Sequence, residues 1–120
     1  MILWWFSDSD RLSPTARALL GDADREFWVS AASGWEITAK ARNGRLPEFP
    51  SILRDYPALV TRNGFRELPV STRHGLHAGS IEHPHRDLFD RMLAAQSILQ
   101  DLPVLSTDPA LSSLGATTIR

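Results

Sequence analysis

The sequence predicts an α/β domain with a mainly parallel sheet flanked by helices, and three observations carry that prediction. Short β-prone runs alternate with helical segments along most of the chain, which is the pattern of βαβ units. The helical segments carry start and stop signals, among them Ser13-Pro14, Asn43-Gly44 and Asp87. A chain of 120 residues, 42% hydrophobic and 22% charged, has the size and composition of one compact soluble domain. A single domain over residues 1–120 is the expectation.

Taken in order, the chain opens on Met1-Ile2-Leu3-Trp4-Trp5-Phe6, apolar with no polar lead-in, which reads as the end of a helix. Ser13-Pro14 starts a helix that stops at Gly21. Glu26 to Ser30 reads as a strand. Ser33 with Glu36 forms a capping box that opens the next helix, which Asn43-Gly44 closes. Pro47 to Pro50 is a loop, and Ser51 to Asn63 a helix that Pro57 kinks or splits. Phe65 to Val70 alternates as a strand does, and Ser71 caps a helix ending near Gly79. After the His83–Arg86 loop, Asp87 starts a helix that runs to about Asp101. Val104 to Ser106 is a short strand, Asp108-Pro109 begins a brief helix, and Thr117 to Ile119 is a last strand. Trp28 and Trp35 are expected in the core.

Composition excludes several classes. Without cysteine there are no disulfides and no thiolate metal sites, and a reducing cytoplasm is compatible with the chain. A net charge of −1 gives no global attraction to nucleic acid, so any such contact must be a local patch. No apolar run is long enough to span a membrane. The apolar start lacks the basic lead of a signal peptide.

Four acids stand out: Glu36, Asp87, Asp90 and Asp108. Asp87 and Asp90 are three residues apart at a helix start, on neighbouring parts of one face. Asp90 lies beside an apolar face of Leu88, Met92, Ala95 and Leu99, where a carboxylate needs compensation. Glu36 and Asp108 follow strands, and ligands gather at the carboxyl ends of parallel strands. Converging hard oxygens suit Mg²⁺ or Mn²⁺. Each acid also has a local reading: Asp87 as a helix cap, Asp90 paired with an arginine, Glu36 in a capping box or paired with Lys40, Asp108 as a turn or cap.

The segments Ser30-Ala31-Ala32-Ser33-Gly34-Trp35-Glu36-Ile37, Lys40 to Pro47, Phe65 to Pro69, His85-Arg86-Asp87-Leu88-Phe89-Asp90-Arg91-Met92-Leu93 and Ser106-Thr107-Asp108-Pro109 resemble PIN-domain ribonucleases of the VapC toxin type. The resemblance covers nearly the whole chain in the right order. It implies a PIN-like three-layer α/β fold and Mg²⁺- or Mn²⁺-dependent cleavage of RNA in the cytoplasm. It also implies an antitoxin partner and a homodimer. The family's acids map onto Glu36, the Asp87/Asp90 pair and Asp108, with Asp90 the main helix acid. Ser106 or Thr107 is placed to support a metal-bound water. Lys40 and Arg91 are candidates for orienting carboxylates or touching phosphate, with an ion pair as the alternative, and Arg42, Arg45 and Arg86 for guiding RNA phosphates.

One departure bears on activity. Family members usually open with a hydrophobic central strand ending in an aspartate. This sequence starts inside the following helix, so that strand and its acid are expected to be missing, with weak or no nuclease activity as the consequence. The alternative function is then a catalytically weak remnant that binds an antitoxin or a sister subunit. Trp4, Trp5 and Phe6 are either that partner surface or core. The pairs His83/His85 and His74/His77 have zinc-ligand spacing, with loop or surface histidines as the other reading.

Overall fold

Side chains that satisfy the free backbone groups of helix ends decide where most elements of this chain start and stop. The computed structural model describes residues 12–44 and 50–120, without the side chains of 50–53. The expected helix at Met1–Phe6, the loop from Pro47 and the position of Arg45 lie outside the described residues. The chain forms two compact units, Met1–Leu68 and Pro69–Arg120.

In the first unit, α1 (Pro14–Leu20) starts as expected, with the Ser13 hydroxyl accepting from the Ala16 N–H at 3.1 Å. β1 (Trp28–Ser30) is shorter than the expected strand. α2 (Ala31–Arg42) begins earlier than the Ser33 cap predicts. Ser30, the last strand residue, is extended and accepts from the Ala32 N–H, so it caps the helix itself. Ser33 and Glu36 therefore lie inside the helix, and the capping-box reading of Glu36 is corrected. Gly44 ends α2 with φ +72°, a conformation glycine adopts without a Cβ penalty. α3 (Pro50–Arg62) continues through Pro57 rather than splitting there. β2 (Arg66–Leu68) pairs with β1 in parallel, Val29 opposite Glu67. Phe27 and Phe65 meet edge to face at 6.0 Å. Leu12, Ala16, Ile37 and Phe65 are buried.

The tryptophans correct a second expectation. Trp28 is 40% exposed and Trp35 67% exposed. Trp28 lies under the Arg66 guanidinium, 5.6 Å from its ring centre, which gives an exposed ring a cation to face.

In the second unit, α4 (Thr72–Ser80) packs against α5 (Leu88–Gln100). Ser71 and His74 form a reciprocal capping box. Because His74 Nδ1 accepts from the Ser71 N–H, its Nε2 is the donor, and it bonds Gln100 Oε1 at 3.0 Å. One buried imidazole thus caps α4 and ties it to the end of α5. The buried Gln96 donates to the Pro69 carbonyl, fixing the chain's entry into this unit. α5 ends at Asp101, in the left-handed region at φ 54°. β3 (Val104–Leu105) and β4 (Thr118–Ile119) pair in parallel across α6 (Pro109–Ser113). Ala94, Leu111, Leu114 and Ala116 are the core, with Ile81, Leu93 and Val104 packed on it. Of the expected apolar face of α5, Ala95 is fully buried, but Leu88 is 70% exposed. Leu88 occupies the first helical position, ahead of the packed turns.

Both strand pairs are parallel and joined through helices, which is an α/β arrangement. Among the described residues no helix is long and apolar enough to cross a membrane.

Burial on α3, with the Glu67 carboxylate adding to it, pushes the Tyr56 phenol from 10.0 up to about 12. The folded state therefore holds the neutral phenol more firmly than the unfolded chain does. Its contribution is complete below pH 10 and is lost as the pH rises to about 12. Urea midpoints measured across that window should fall in the wild type and fall less steeply in Tyr56→Phe.

Candidate metal centre

The start of α5 concentrates charge because its cap and its first-turn acid are both aspartates. Asp87 is extended, with φ −66° and ψ 116°, and its Oδ1 accepts from the N–H groups of Phe89 at 2.9 Å and Asp90 at 3.0 Å. That satisfies two of the helix's free donors and places a negative charge at its positive end. Asp87 Oδ2 makes no hydrogen bond to a described residue. Asp90 stands one turn in, with a carboxylate oxygen within 4.8 Å of one from Asp87. The His85 Nε2–H donates to Asp90 Oδ2 at 2.7 Å. This leaves Asp90 Oδ1 as the oxygen with no described partner.

The loop before α5 is held by one side chain. The Arg91 guanidinium donates to the carbonyls of Ala78 at 3.0 Å, His83 at 3.2 Å and His85 at 2.9 Å, and also to that of Ile81. Arg91, expected to orient a carboxylate or touch phosphate, spends four of its five N–H donors on these backbone carbonyls. Neighbouring helical residues project in directions about 100° apart, so Arg91 turns toward α4 while Asp90 does not. Within the loop, the His85 N–H donates to His83 Nδ1, and the two rings stand 6.4 Å apart.

The other sequence-selected residues have described places too. Glu36 lies on α2 in the first unit and pairs with Lys40, one turn on, at 3.4 Å. That is the ion pair the i, i+4 spacing allows. Arg42 closes α2. Asp108 caps α6, its Oδ1 accepting from the Ala110 N–H at 2.9 Å, while its own N–H donates to Ser106 Oγ at 3.1 Å. Within the second unit, Asp108 is not brought into the close grouping that Asp87 and Asp90 form. Thr107 and Arg86 are exposed. Trp4, Trp5 and Phe6 lie outside the described residues. Neither histidine pair presents a free pair of ring nitrogens for zinc, since His74 is bonded at both and His85 is bonded to Asp90. Sequence reasoning missed His85 as the partner of Asp90. The available signal was Pro84, which favours an extended residue before it, in a short loop leading back to an aspartate cap.

The donor set fits a hard divalent cation. Asp87 and Asp90 each offer a carboxylate oxygen, and ions such as Mg²⁺ bind one or two carboxylates at about 2.0–2.1 Å while keeping several waters. His85 fixes the orientation of Asp90 from behind, as partners of metal-binding side chains commonly do.

A family model of the PIN domain matches residues 1–116. No curated protein and no solved structure matches.

The two roles of Asp87 can be separated. Asp87→Ala removes the cap and should cost about 1 kcal/mol of stability. Asp87→Asn keeps an acceptor for Phe89 and Asp90, so it should cost a few tenths of a kcal/mol while removing the charge. Chemical denaturation of both variants without added metal checks this.

Proposed function

We propose, on the premise that this chain belongs to the PIN-domain family, that it is a Mg²⁺- or Mn²⁺-dependent endoribonuclease, the toxin of a toxin–antitoxin pair. PIN domains are generally nucleases, and often toxins. The observation that carries the reading to named residues is the Asp87/Asp90 pair at the start of α5, with His85 bonded to Asp90. We assign Asp90 as the main helix acid, Asp87 as its partner, and Glu36 and Asp108 as the further carboxylates of the same centre. The bound cation supplies charge neutralisation at the scissile phosphate and a more acidic water. The chain's own work is to hold its acids oriented. His85 keeps one Asp90 oxygen turned inward, Lys40 balances Glu36, and Thr107 supports a water. Arg42 and Arg86 guide the RNA backbone by contact with phosphate oxygens. Arg91 acts indirectly, by fixing the loop that carries His85. The partners in this reading are the RNA substrate, a cognate antitoxin and a second copy of the chain, all in the cytoplasm, with Trp4, Trp5 and Phe6 on the partner surface.

A second reading has one observation in its favour. Asp87 and Asp108 each already cap a helix, a role that needs no cation. A partner-binding module with weak or no nuclease activity would use them for that alone.

Calorimetric titration with Mn²⁺, paired with cleavage of a single-stranded RNA, separates the two. The nuclease reading expects saturable Mn²⁺ binding that Asp90→Asn weakens at least tenfold, and metal-dependent cleavage that the same substitution lowers at least a hundredfold. Equal Mn²⁺ binding by both proteins, with no metal-dependent cleavage by either, would leave the binding module.

A further inference from the structure

We infer that the cleft in front of α5 is a subsite for one unpaired nucleotide of an RNA strand. The inference rests on the nuclease reading only for the class of ligand. The cleft has a volume of about 340 Å³ and is lined by His83, Pro84, His85, Arg86, Leu88 and Arg91. That is the small end of the range for ligand sites, about 300–1,000 Å³, suited to one flat ring and its sugar.

Three features make it a formed site. First, its loop is rigid by construction. Arg91 ties the carbonyls of Ile81, His83 and His85 to that of Ala78 on α4, and the His85 N–H closes on His83 Nδ1. A wall ordered in advance lowers the entropic cost of binding. Second, its chemistry suits a base with a phosphate. Leu88 is 70% exposed at the first position of α5, and the exposed His83 lines the same cleft. An exposed apolar side chain and an imidazole together form a surface on which an unpaired base stacks, whatever its sequence. Arg86 is exposed and has no ion pair with a described residue, so its planar fork is available for a phosphate. Third, the cleft adjoins the acids. His85 lines it and also bonds Asp90 at 2.7 Å. A base seated there brings its neighbouring phosphodiester toward the candidate centre. A paired base has its faces covered in the duplex, so the site selects single strands.

The test uses the full chain in EDTA and an RNA pentanucleotide carrying one 2-aminopurine, whose fluorescence is quenched on stacking. The subsite expects quenching on binding. Arg86→Ala and Arg86→Glu should weaken the affinity at least fivefold. His83→Ala and Leu88→Ala should abolish most of the quenching. All three positions are exposed, and an unchanged far-ultraviolet dichroism spectrum reports that each variant is folded. AMP should displace the probe at concentrations where ribose 5-phosphate does not. Unchanged affinity and quenching in the folded variants, displacement by ribose 5-phosphate as effective as by AMP, or tighter binding of the corresponding deoxyribonucleotide would each overturn the proposal. Because EDTA removes any cation, the outcome is independent of whether Mn²⁺ binds. Quenching without Mn²⁺ binding would sink the metal reading and keep the subsite, and the reverse result would do the opposite.

Discussion

Arg91 holds together the part of the molecule on which its proposed chemistry depends. A guanidinium has five N–H donors in a fixed plane and cannot lose its charge at accessible pH. Here it joins four carbonyls, from Ala78 near the end of α4 to His85, two residues ahead of the Asp87 cap. Three of those carbonyls, of Ile81, His83 and His85, belong to a loop with few backbone bonds of its own, and loops of that kind are ordinarily the mobile part of a fold. Hydrogen bonds to a charged donor are stronger than neutral ones, so one side chain does what a strand ladder does elsewhere. His85 is placed by this arrangement, and Asp90 is oriented by His85. Without the clamp the two aspartates would remain on the helix, but the histidine behind one of them and the wall of the adjoining cleft would not be fixed.

The start of α5 shows how structural and chemical demands share the same atoms. Helix ends leave unsatisfied N–H groups, and aspartate is among the best residues to meet them. One Asp87 oxygen does so, and the other makes no hydrogen bond to a described residue. Asp90 divides its oxygens likewise, with His85 on one of them. The positive end of the helix favours both charges, which lets two carboxylates stand close together before any cation arrives. Asp108 also caps a helix. In this chain, therefore, an aspartate at a helix start is not by itself a sign of catalysis. The pairing of two acids on one turn, with a histidine behind, distinguishes the α5 start from the α6 start.

Local rules carried much of the fold. Ser13-Pro14, Ser71, Asp87 and Asn43-Gly44 end or begin helices where cap chemistry places them, because a cap is decided by residues within one turn of each other. The strand positions followed from alternation and β-propensity, although each strand is shorter than its β-prone run. The start of α2 differs from the Ser33 cap that the sequence predicts because Ser30 serves two elements at once, ending a strand and capping a helix, whereas sequence pattern assigns a residue to one. Trp28, Trp35 and Leu88 were placed in or beside the core because periodicity identifies an apolar side chain without saying whether anything covers it. Arg91 was illegible for a different reason. Its partners are backbone carbonyls up to thirteen residues away, and a carbonyl has no sequence signature. For the site, the acids could be named from type and spacing, but the histidine and arginine that organise them follow only from how the loop turns back on α4.

The most direct test of the account is the loss of backbone amide signals in nuclear magnetic resonance spectra when Mn²⁺ is added to the wild type and to Arg91→Met. The account expects the broadening to centre on residues 85–91. It also expects Arg91→Met, folded but without its clamp, to need at least ten times more Mn²⁺ for the same effect. Broadening centred elsewhere, or identical titrations for the two proteins, would contradict it.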